Sequence, residues 1–440
     1  MGAHLRNFRG RWEWCTKVRP TFVLLSFCAL LALSAHLLFL TAMPVSWRAS
    51  RSADFRTYYE PVAARVAAGG GLYLPSGKPA VRYPPGIPLI YGATFWTAQQ
   101  LGISRALGMR LLQAVFVVAA AVLIATIAVL IFPPRFALLT SLLWSTYPLQ
   151  LWLTKQPSGM NAFSVLLLLT VLLFLFWCRN GSRPVSYGMI VGASLAVTSL
   201  VKPFAIGLPV VFGILAWLCS VPCPWRKRAV FSGCLLLMYL LVLLPWEIWA
   251  RQATGQWLPL SRGGPAALVD GLSFGLARPK ASELPLPDDV HLVARDVAMH
   301  ADQFTSSGRV LQFLRIEVRE KPIAVVHLFL IKAIRSWYGN DSHTHEKWIL
   351  LIQLLYLPLV LLGGNLAWGI ETRRRNFLIV AGTVTLYYWG MTTIATLSIV
   401  RYMVPASALL MVLAAIGLEA IADQCRIVFA FRPRRVSYRL

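Results

Sequence analysis

The sequence predicts an all-α polytopic membrane protein with about ten transmembrane helices. Of its 440 residues, 57% are hydrophobic and 13% are charged, and the mean hydropathy is +0.63. A soluble domain does not have this composition. Apolar runs of about 20 residues recur along the chain, which is the length that a helix needs to cross a bilayer. Clusters of Lys and Arg separate these runs, as the positive-inside rule predicts for cytoplasmic loops.

The formal net charge of +25 has the same explanation. Lys and Arg collect in the cytoplasmic loops of membrane proteins, so the charge indicates membrane lipids rather than a nucleic-acid partner. Thirteen of the seventeen acids lie in segments predicted to be extracytoplasmic. None of the seven cysteines lies there, which predicts a fold without disulfides.

Ten spans place every large basic cluster on the cytoplasmic side, including residues 226–228 and 373–375. They are residues 21–43, 107–132, 137–150, 160–177, 187–200, 204–221, 229–246, 348–370, 376–398 and 402–421. The first span is too long for a cleaved signal peptide. We therefore expect a multi-pass protein of the plasma (inner) membrane with both termini in the cytoplasm.

Two further apolar segments are predicted to lie along the extracytoplasmic surface of the membrane. Residues 87–101 are bounded by prolines and interrupted by Gln99 and Gln100. Residues 323–338 carry Lys332 and Arg335 on one helical face and end in a Trp-Tyr pair typical of the interface. If the second segment crossed the membrane, residues 373–375 would lie outside. The sequence therefore predicts two short juxtamembrane helices.

The chain is predicted to divide into three parts. Residues 1–246 form an N-terminal transmembrane module whose first extracytoplasmic loop, 44–106, is catalytic. Residues 247–347 are hydrophilic and acid-rich, which indicates an extracytoplasmic subdomain that includes the second surface helix. Residues 348–440 supply the last transmembrane helices and a basic cytoplasmic tail.

The candidate catalytic residues lie in the first extracytoplasmic loop. Through residue 246 the chain has only three carboxylates, and two of them, Asp54 and Glu60, lie in this loop. A carboxylate in such a position can act as a general base. The alternatives are that Asp54 caps a helix and that Glu60 is a solvated loop residue.

Cations at the outer ends of apolar helices are the second sign of a site. Lys155, Lys202 and Arg401 lie on the same predicted side as Asp54, and an ionisable residue near membrane depth is usually functional. Arg56 and Arg82 add to this set. Such cations suit a reaction in which a base removes a proton while a phosphate leaves. Alternatively, Lys155 and Lys202 extend towards lipid headgroups.

Several motifs of the chain resemble a known superfamily. They are Asp54, Tyr58-Tyr59, a Gly-rich stretch ending in Leu72-Tyr73, Arg82-Tyr-Pro-Pro-Gly-Ile-Pro88, Tyr147-Pro148, Val201-Lys-Pro203, Leu244-Pro-Trp246 and Arg401-Tyr-Met-Val-Pro405. In this order they resemble the GT-C superfamily of membrane glycosyltransferases. The similarity is greatest to the protein O-mannosyltransferases and lipid A aminoarabinose transferases, and it extends over residues 20–420.

This resemblance implies a glycosyltransferase that takes a sugar from a polyprenyl-phosphate donor and transfers it to an acceptor hydroxyl on the extracytoplasmic, or periplasmic, side. Asp54 is then the catalytic carboxylate, with Glu60 as a second candidate. The expected substrate-binding residues are Arg56, Tyr58, Tyr59, Arg82, Tyr83, Lys155, Lys202, Arg401 and Tyr402.

The chain departs from the family pattern in three places, one of which is that its outer loop does not resemble a known acceptor-binding domain. The usual Arg-Asn after Pro-Trp is replaced by Glu247-Ile248, and Ser158-Gly-Met-Asn161 stands where a Ser-Glu or Ser-Asp pair is common. The acceptor, whether glycan, lipid or protein, stays open.

A metal site and two other functions are also open at this stage. His343 and His345 lie near Asp341 and Glu346 and suit a divalent metal ion, although a solvated loop has the same composition. A lipid-linked sugar flippase would carry charges at depth near both membrane faces. A non-catalytic scaffold subunit would not need Asp54.

Overall fold

The computed structural model describes residues 3–44, 52–155, 157–277, 285–368 and 371–430. These residues form seventeen α-helices, and a single isolated bridge between Tyr73 and Pro79 is the β pairing among them. The predicted all-α polytopic architecture is therefore confirmed.

The helices are numbered in chain order. They are α1 (Ala3–Ala42), α2 (Glu60–Ala67), α3 (Gly86–Gln100), α4 (Arg105–Ile131), α5 (Pro134–Ser145), α6 (Pro148–Thr154), α7 (Gly159–Asn180), α8 (Pro184–Val201), α9 (Leu208–Leu218), α10 (Trp225–Thr254), α11 (Gly264–Leu272), α12 (Asp288–Met299), α13 (Ser307–Glu320), α14 (Pro322–Arg335), α15 (Glu346–Ala367), α16 (Thr372–Ala395) and α17 (Val404–Ala430).

Eight helices in the described part of the chain are long and apolar enough to cross a membrane, namely α1, α4, α7, α8, α10, α15, α16 and α17. The other two predicted spans are interrupted. Residues 137–150 fall on α5 and α6, which are separated at Tyr147, and residues 204–221 fall on a 3₁₀ turn followed by α9. Tyr147 and Lys202 are both extended because each precedes a proline, which disfavours helical backbone at the residue before it.

Close approach between helix backbones holds the bundle together. On α8, a Cβ added at Gly188 or Gly192 would collide with the backbone of α10. Between α15 and α17, Gly363 and Gly417 have the same role, each facing a carbonyl oxygen of the other helix. Helices that cannot use the hydrophobic effect against one another in lipid gain packing contacts from such small residues.

The two segments predicted to lie on the membrane surface are both helical. α3 has 15 residues and α14 has 14, so each is shorter than the roughly 20 residues of a spanning helix. Lys332 and Arg335 do share one face of α14, and the structure buries that face. The opposite face exposes Ile323, Val326 and Leu330.

A second hydrophobic core lies within the predicted extracytoplasmic segment. It is formed by α11 to α14, with Leu272, Val293 and Leu328 fully buried. α10 continues through Pro245 to Thr254, beyond the predicted end of its span at residue 246. The exact domain boundaries remain a prediction.

The bundle has two ends, called here the Asp54 end and the Arg179 end. α7 begins beside Lys202, where a Cβ on Gly159 would lie 3.2 Å from Lys202 Cε, and its last turn carries Arg179. With 22 residues and a rise of about 1.5 Å per residue, α7 separates the two ends by about 30 Å.

We expect cysteine labelling to place the two ends on opposite sides of the membrane. In a background without the seven native cysteines, an impermeant maleimide should label Ser76→Cys and Thr305→Cys in intact cells. Ser182→Cys, near Arg179, should react only after the membrane is permeabilised. Labelling of Ser182→Cys in intact cells would contradict this topology.

Candidate active site

Asp54 lies at the start of a tightly packed aromatic cluster. A π-helical turn, Phe55–Tyr59, follows Asp54 directly and leads into α2, and such turns occur frequently at functional sites. Tyr58 and Tyr59 are buried, and Tyr83 packs against both, with ring centroids 5.0 and 5.3 Å away. The loop that carries Tyr83 is thereby fixed against the turn that carries Asp54.

A hydrogen bond joins the two segments at the carboxylate itself. The Tyr83 hydroxyl donates to Asp54 Oδ1 at 3.0 Å. Burial and the neighbouring Asp54 carboxylate raise the pKa of Tyr83 above its ordinary value, so the phenol stays protonated and continues to donate. This bond orients the carboxylate and leaves Oδ2 as the oxygen that can accept a proton.

Lys202 reaches the same cluster from the end of α8. Its Nζ lies 3.5 Å from the Tyr59 hydroxyl and 5.7 Å from the centre of the Tyr59 ring. Burial and, to a smaller extent, the nearby Arg401 lower the pKa of Lys202 to about 8, while Asp54 opposes the shift. The ammonium group is therefore within electrostatic range of both Asp54 and Arg401.

Arg401 approaches from a 3₁₀ turn between α16 and α17. Its Nη1 lies 2.9 Å from Asp341 Oδ2, and its Nη2 donates to the Tyr402 hydroxyl at 3.1 Å. Tyr402 stacks on Phe204 with ring centroids 5.0 Å apart. Burial disfavours the charge of Arg401, but Tyr402 and Asp341 raise its pKa above the ordinary value. Arg401 therefore stays charged, and those of its five N–H groups that do not face Asp341 or Tyr402 can serve further acceptors.

Arg82 is a third cation beside the aromatic cluster, after Lys202 and Arg401. Its guanidinium carbon lies 5.3 Å from the centre of the Tyr83 ring. The preceding residue, Val81, accepts a backbone hydrogen bond from Arg262 at 2.8 Å, which connects this loop to the start of the outer subdomain. Glu247, one of the residues that departs from the family pattern, supports the same segment by accepting from the Leu260 N–H at 2.8 Å.

Three further site residues were predicted, and the contacts described above do not include them. Glu60 begins α2, and Asp54 rather than Glu60 is the carboxylate that contacts Tyr83. Arg56 is exposed on the π-helical turn. Lys155 Nζ lies 3.5 Å from the centre of the Trp152 ring. The roles of these three residues remain predictions.

Of the candidate metal ligands, only His343 and Glu346 are seen in contact among the described residues, at 3.2 Å. Arg335 donates to Glu346 and contacts His343, Asp341 pairs with Arg401, and His345 packs against Trp152. Over the ranges that the structure describes, no three His, Cys, Asp or Glu side chains form a group that could hold a metal ion. Arg335 and Arg401 bind the two carboxylates of residues 341–346, and a metal at this loop stays a prediction.

Lys332 on α14 helps to fix the segment that precedes Arg401. Lys332 is fully buried and donates to the carbonyl oxygens of Gly271 at 2.7 Å and Thr396 at 2.8 Å. The Val400 N–H donates to the Gly339 carbonyl at 2.8 Å. These bonds fix the segment that leads into Arg401 against the outer subdomain. The sequence indicated that Lys332 and Arg335 share a face, but not that this face points inward.

The fold is that of an all-α polytopic membrane protein of the GT-C type. Solved structures of an oligosaccharyltransferase from Archaeoglobus fulgidus have this fold. One, in complex with an inhibitory peptide and a dolichol-phosphate, has a TM-score of 0.56 at 13% identity and aligns with 94% of this chain and 52% of its own. Another, in complex with Zn and sulfate, has a TM-score of 0.54 at 14% identity, with 93% and 50% covered.

The chain spans about half the length of these structures. A further similarity is to ArnT from Cupriavidus metallidurans bound to undecaprenyl phosphate, with a TM-score of 0.41, 14% identity, and 91% of this chain and 78% of that one covered. No protein-family model matches the chain, and no curated protein sequence matches it.

Proposed function

We propose that the protein is an integral membrane glycosyltransferase. It moves a sugar from a polyprenyl-phosphate donor to an acceptor hydroxyl, with Asp54 as the general base. The observation that supports this most directly is the convergence of Asp54, Lys202 and Arg401, which come from three separate parts of the chain. A carboxylate beside two cations suits proton removal coupled to departure of a phosphate.

In the proposed reaction, the Asp54 carboxylate accepts the proton of the acceptor hydroxyl through Oδ2. The acceptor oxygen forms a bond to the anomeric carbon of the sugar as the bond from that carbon to the phosphate oxygen breaks. The polyprenyl phosphate leaves with the electron pair of the broken bond. Arg401 and Lys202 stabilise its growing negative charge, and the proton on Asp54 is then released to water.

The donor's polyprenyl chain would lie among the apolar helices, with its phosphate at the Asp54 end. A guanidinium presents paired N–H groups that match phosphate oxygens, so Arg401 is the main phosphate contact and Lys202 the second. Tyr402 would orient Arg401, while Arg82, Tyr58 and Tyr59 would border the sugar. The dolichol-phosphate in the archaeal neighbour agrees with a lipid phosphate as donor. We place this end on the extracytoplasmic side of the plasma membrane.

The described residues around Asp54 do not fit a divalent metal ion. Lys202 and Arg401 are both positively charged and would repel a cation, and the Asp341 carboxylate is bound to Arg401. We derive no step through a metal and assign the stabilisation of phosphate charge to these two side chains.

Packing along α7 favours an enzyme over a flippase. Phe163, Leu168 and Phe174 are fully buried along this helix, which runs from the Asp54 end to the Arg179 end. A carrier needs a path for the sugar headgroup between the two membrane faces, and these large apolar side chains occupy the space beside α7. The Asp54→Asn variant below distinguishes an enzyme from a scaffold subunit, which would not need Asp54.

Asp54→Asn is expected to lower sugar transfer by about 10²- to 10⁴-fold, the usual contribution of a general base. Donor binding should change little, because the amide keeps the shape of the carboxylate. The assay follows transfer from radiolabelled polyprenyl-phosphate hexoses in membranes. Asp302→Asn, an exposed acid of the outer subdomain, is the matched control and should retain activity.

Glu60→Gln belongs in the same series, because a comparable loss would identify Glu60 as a second catalytic acid. If Asp54→Asn retains more than about a tenth of wild-type activity, Asp54 is not the base.

Donor affinity is expected to fall as the pH rises through and above about 8, because Lys202 loses its charge there. A bound phosphate raises this pKa, so the fall in affinity begins near the pKa of the free protein and ends near the higher pKa of the complex. Lys202→Arg should remove the pH dependence, since a guanidinium stays charged. Binding of the donor to purified protein at several pH values measures this directly.

The phosphate contact of Arg401 can be tested in the same binding assay. Arg401→Lys keeps the charge but loses the paired N–H contact, so it should bind donor more weakly. If Arg401→Ala binds donor like wild type, the phosphate site is misplaced, and Lys155 with Arg82 becomes the pair to test.

A further inference from the structure

A second cationic site lies at the Arg179 end of the bundle, about 30 Å from Asp54 along α7. It is a cavity of about 430 Å³ between the ends of α4, α7 and α16 and the turn that precedes α10. Arg179, Arg228 and Arg373 line it, together with the apolar side chains of Leu130 and Leu175. Nothing in the proposed transfer reaction uses these residues.

The cavity has positive charge without a matching carboxylate. None of the described residues that line it is acidic. Arg228 is held by backbone carbonyl oxygens, donating to Trp217 at 3.2 Å and to Val221 at 3.1 Å. Arg179 and Arg373 make no hydrogen bond or ion pair with any residue that the structure describes. Three guanidinium groups around one cavity favour an anion, and above all a phosphate.

The walls of the cavity are preformed. The Asn376 side chain clamps Ser220, accepting from its N–H and donating to its carbonyl oxygen, both at 2.8 Å. Arg375 donates to the Ser220 hydroxyl at 2.9 Å. α7 ends at Gly181 with a φ of +60°, and a Cβ there would lie 2.7 Å from the Pro222 carbonyl oxygen. An anion would therefore meet fixed walls and need little reorganisation of the protein.

We propose that this cavity binds the phosphate headgroup of an anionic phospholipid. Leu130 and Leu175 supply an apolar wall on helices that cross the membrane, so acyl chains can follow the bundle while the phosphate stays among the arginines. Basic pockets between helix ends on the cytoplasmic side are suited to lipid headgroups, and the charge pattern of the sequence predicts that this end is cytoplasmic. A soluble phosphate ester shares the phosphate chemistry but lacks the acyl chains.

The test measures the thermal unfolding midpoint of the purified full chain as phosphatidylglycerol is added to phosphatidylcholine micelles. The wild type should gain stability in a saturable way, and native mass spectrometry should show one retained phosphatidylglycerol. Arg179→Gln/Arg373→Gln should lose both effects. Arg228 stays unchanged in this variant because it supports the backbone.

The matched control is Arg226→Gln/Lys227→Gln, which removes the same charge near the same end of the bundle from exposed residues that do not line the cavity. It should keep both effects. Helical circular dichroism checks that each variant is folded. If the double variant does not fold, Arg179→Gln alone serves, because that side chain is exposed.

Three results would overturn the proposal. In the first, Arg179→Gln/Arg373→Gln retains the lipid and its stabilising effect. In the second, the control loses as much as the cavity variant, which would indicate general surface charge. In the third, glycerol 3-phosphate stabilises the wild type as well as the lipid does, which would assign the cavity to a soluble phosphate ester.

Discussion

The candidate active site depends on holding two cations close together. Lys202 and Arg401 repel one another, and both are at least partly removed from water, which makes the repulsion stronger than it would be in solvent. Asp54 and Asp341 offset it, Asp341 through its direct contact with Arg401. With Arg82 beside the aromatic cluster, the site has three cations against two carboxylates, so a phosphate that enters would balance the remaining positive charge. The site is thus arranged for an anionic donor.

Interruptions of the helices make this arrangement possible. Lys202 is extended because Pro203 follows it, and Arg401 lies in a short 3₁₀ turn between two long helices. Non-helical backbone is tolerated near membrane depth only where protein or a polar cavity satisfies it. Lys332 provides part of that support, since its buried ammonium binds the Thr396 carbonyl a few residues before Arg401. Burial lowers the pKa of Lys332 to about 7, because a cation that is removed from water loses its hydration.

Much of this arrangement could be predicted from the sequence, and the exceptions have a common cause. Apolar run lengths and basic clusters predicted the helices, and the resulting topology placed Asp54, Lys202 and Arg401 at one end. The pairing of Asp341 with Arg401 joins residues far apart in sequence, so local composition does not reveal it. For the same reason, local composition suggested a metal site at Asp341, His343, His345 and Glu346, and did not reveal that Arg335 binds Glu346 and contacts His343.

The proposed function requires that a polyprenyl-phosphate sugar binds where Asp54, Lys202 and Arg401 converge. The most direct measurement is a cryo-electron microscopy map of the protein with a polyprenyl-phosphate hexose. The account predicts phosphate oxygens within about 3 Å of the Arg401 guanidinium and the Lys202 ammonium, with the anomeric carbon of the sugar facing Asp54. Density for the phosphate away from both cations, or a sugar turned away from Asp54, would contradict it.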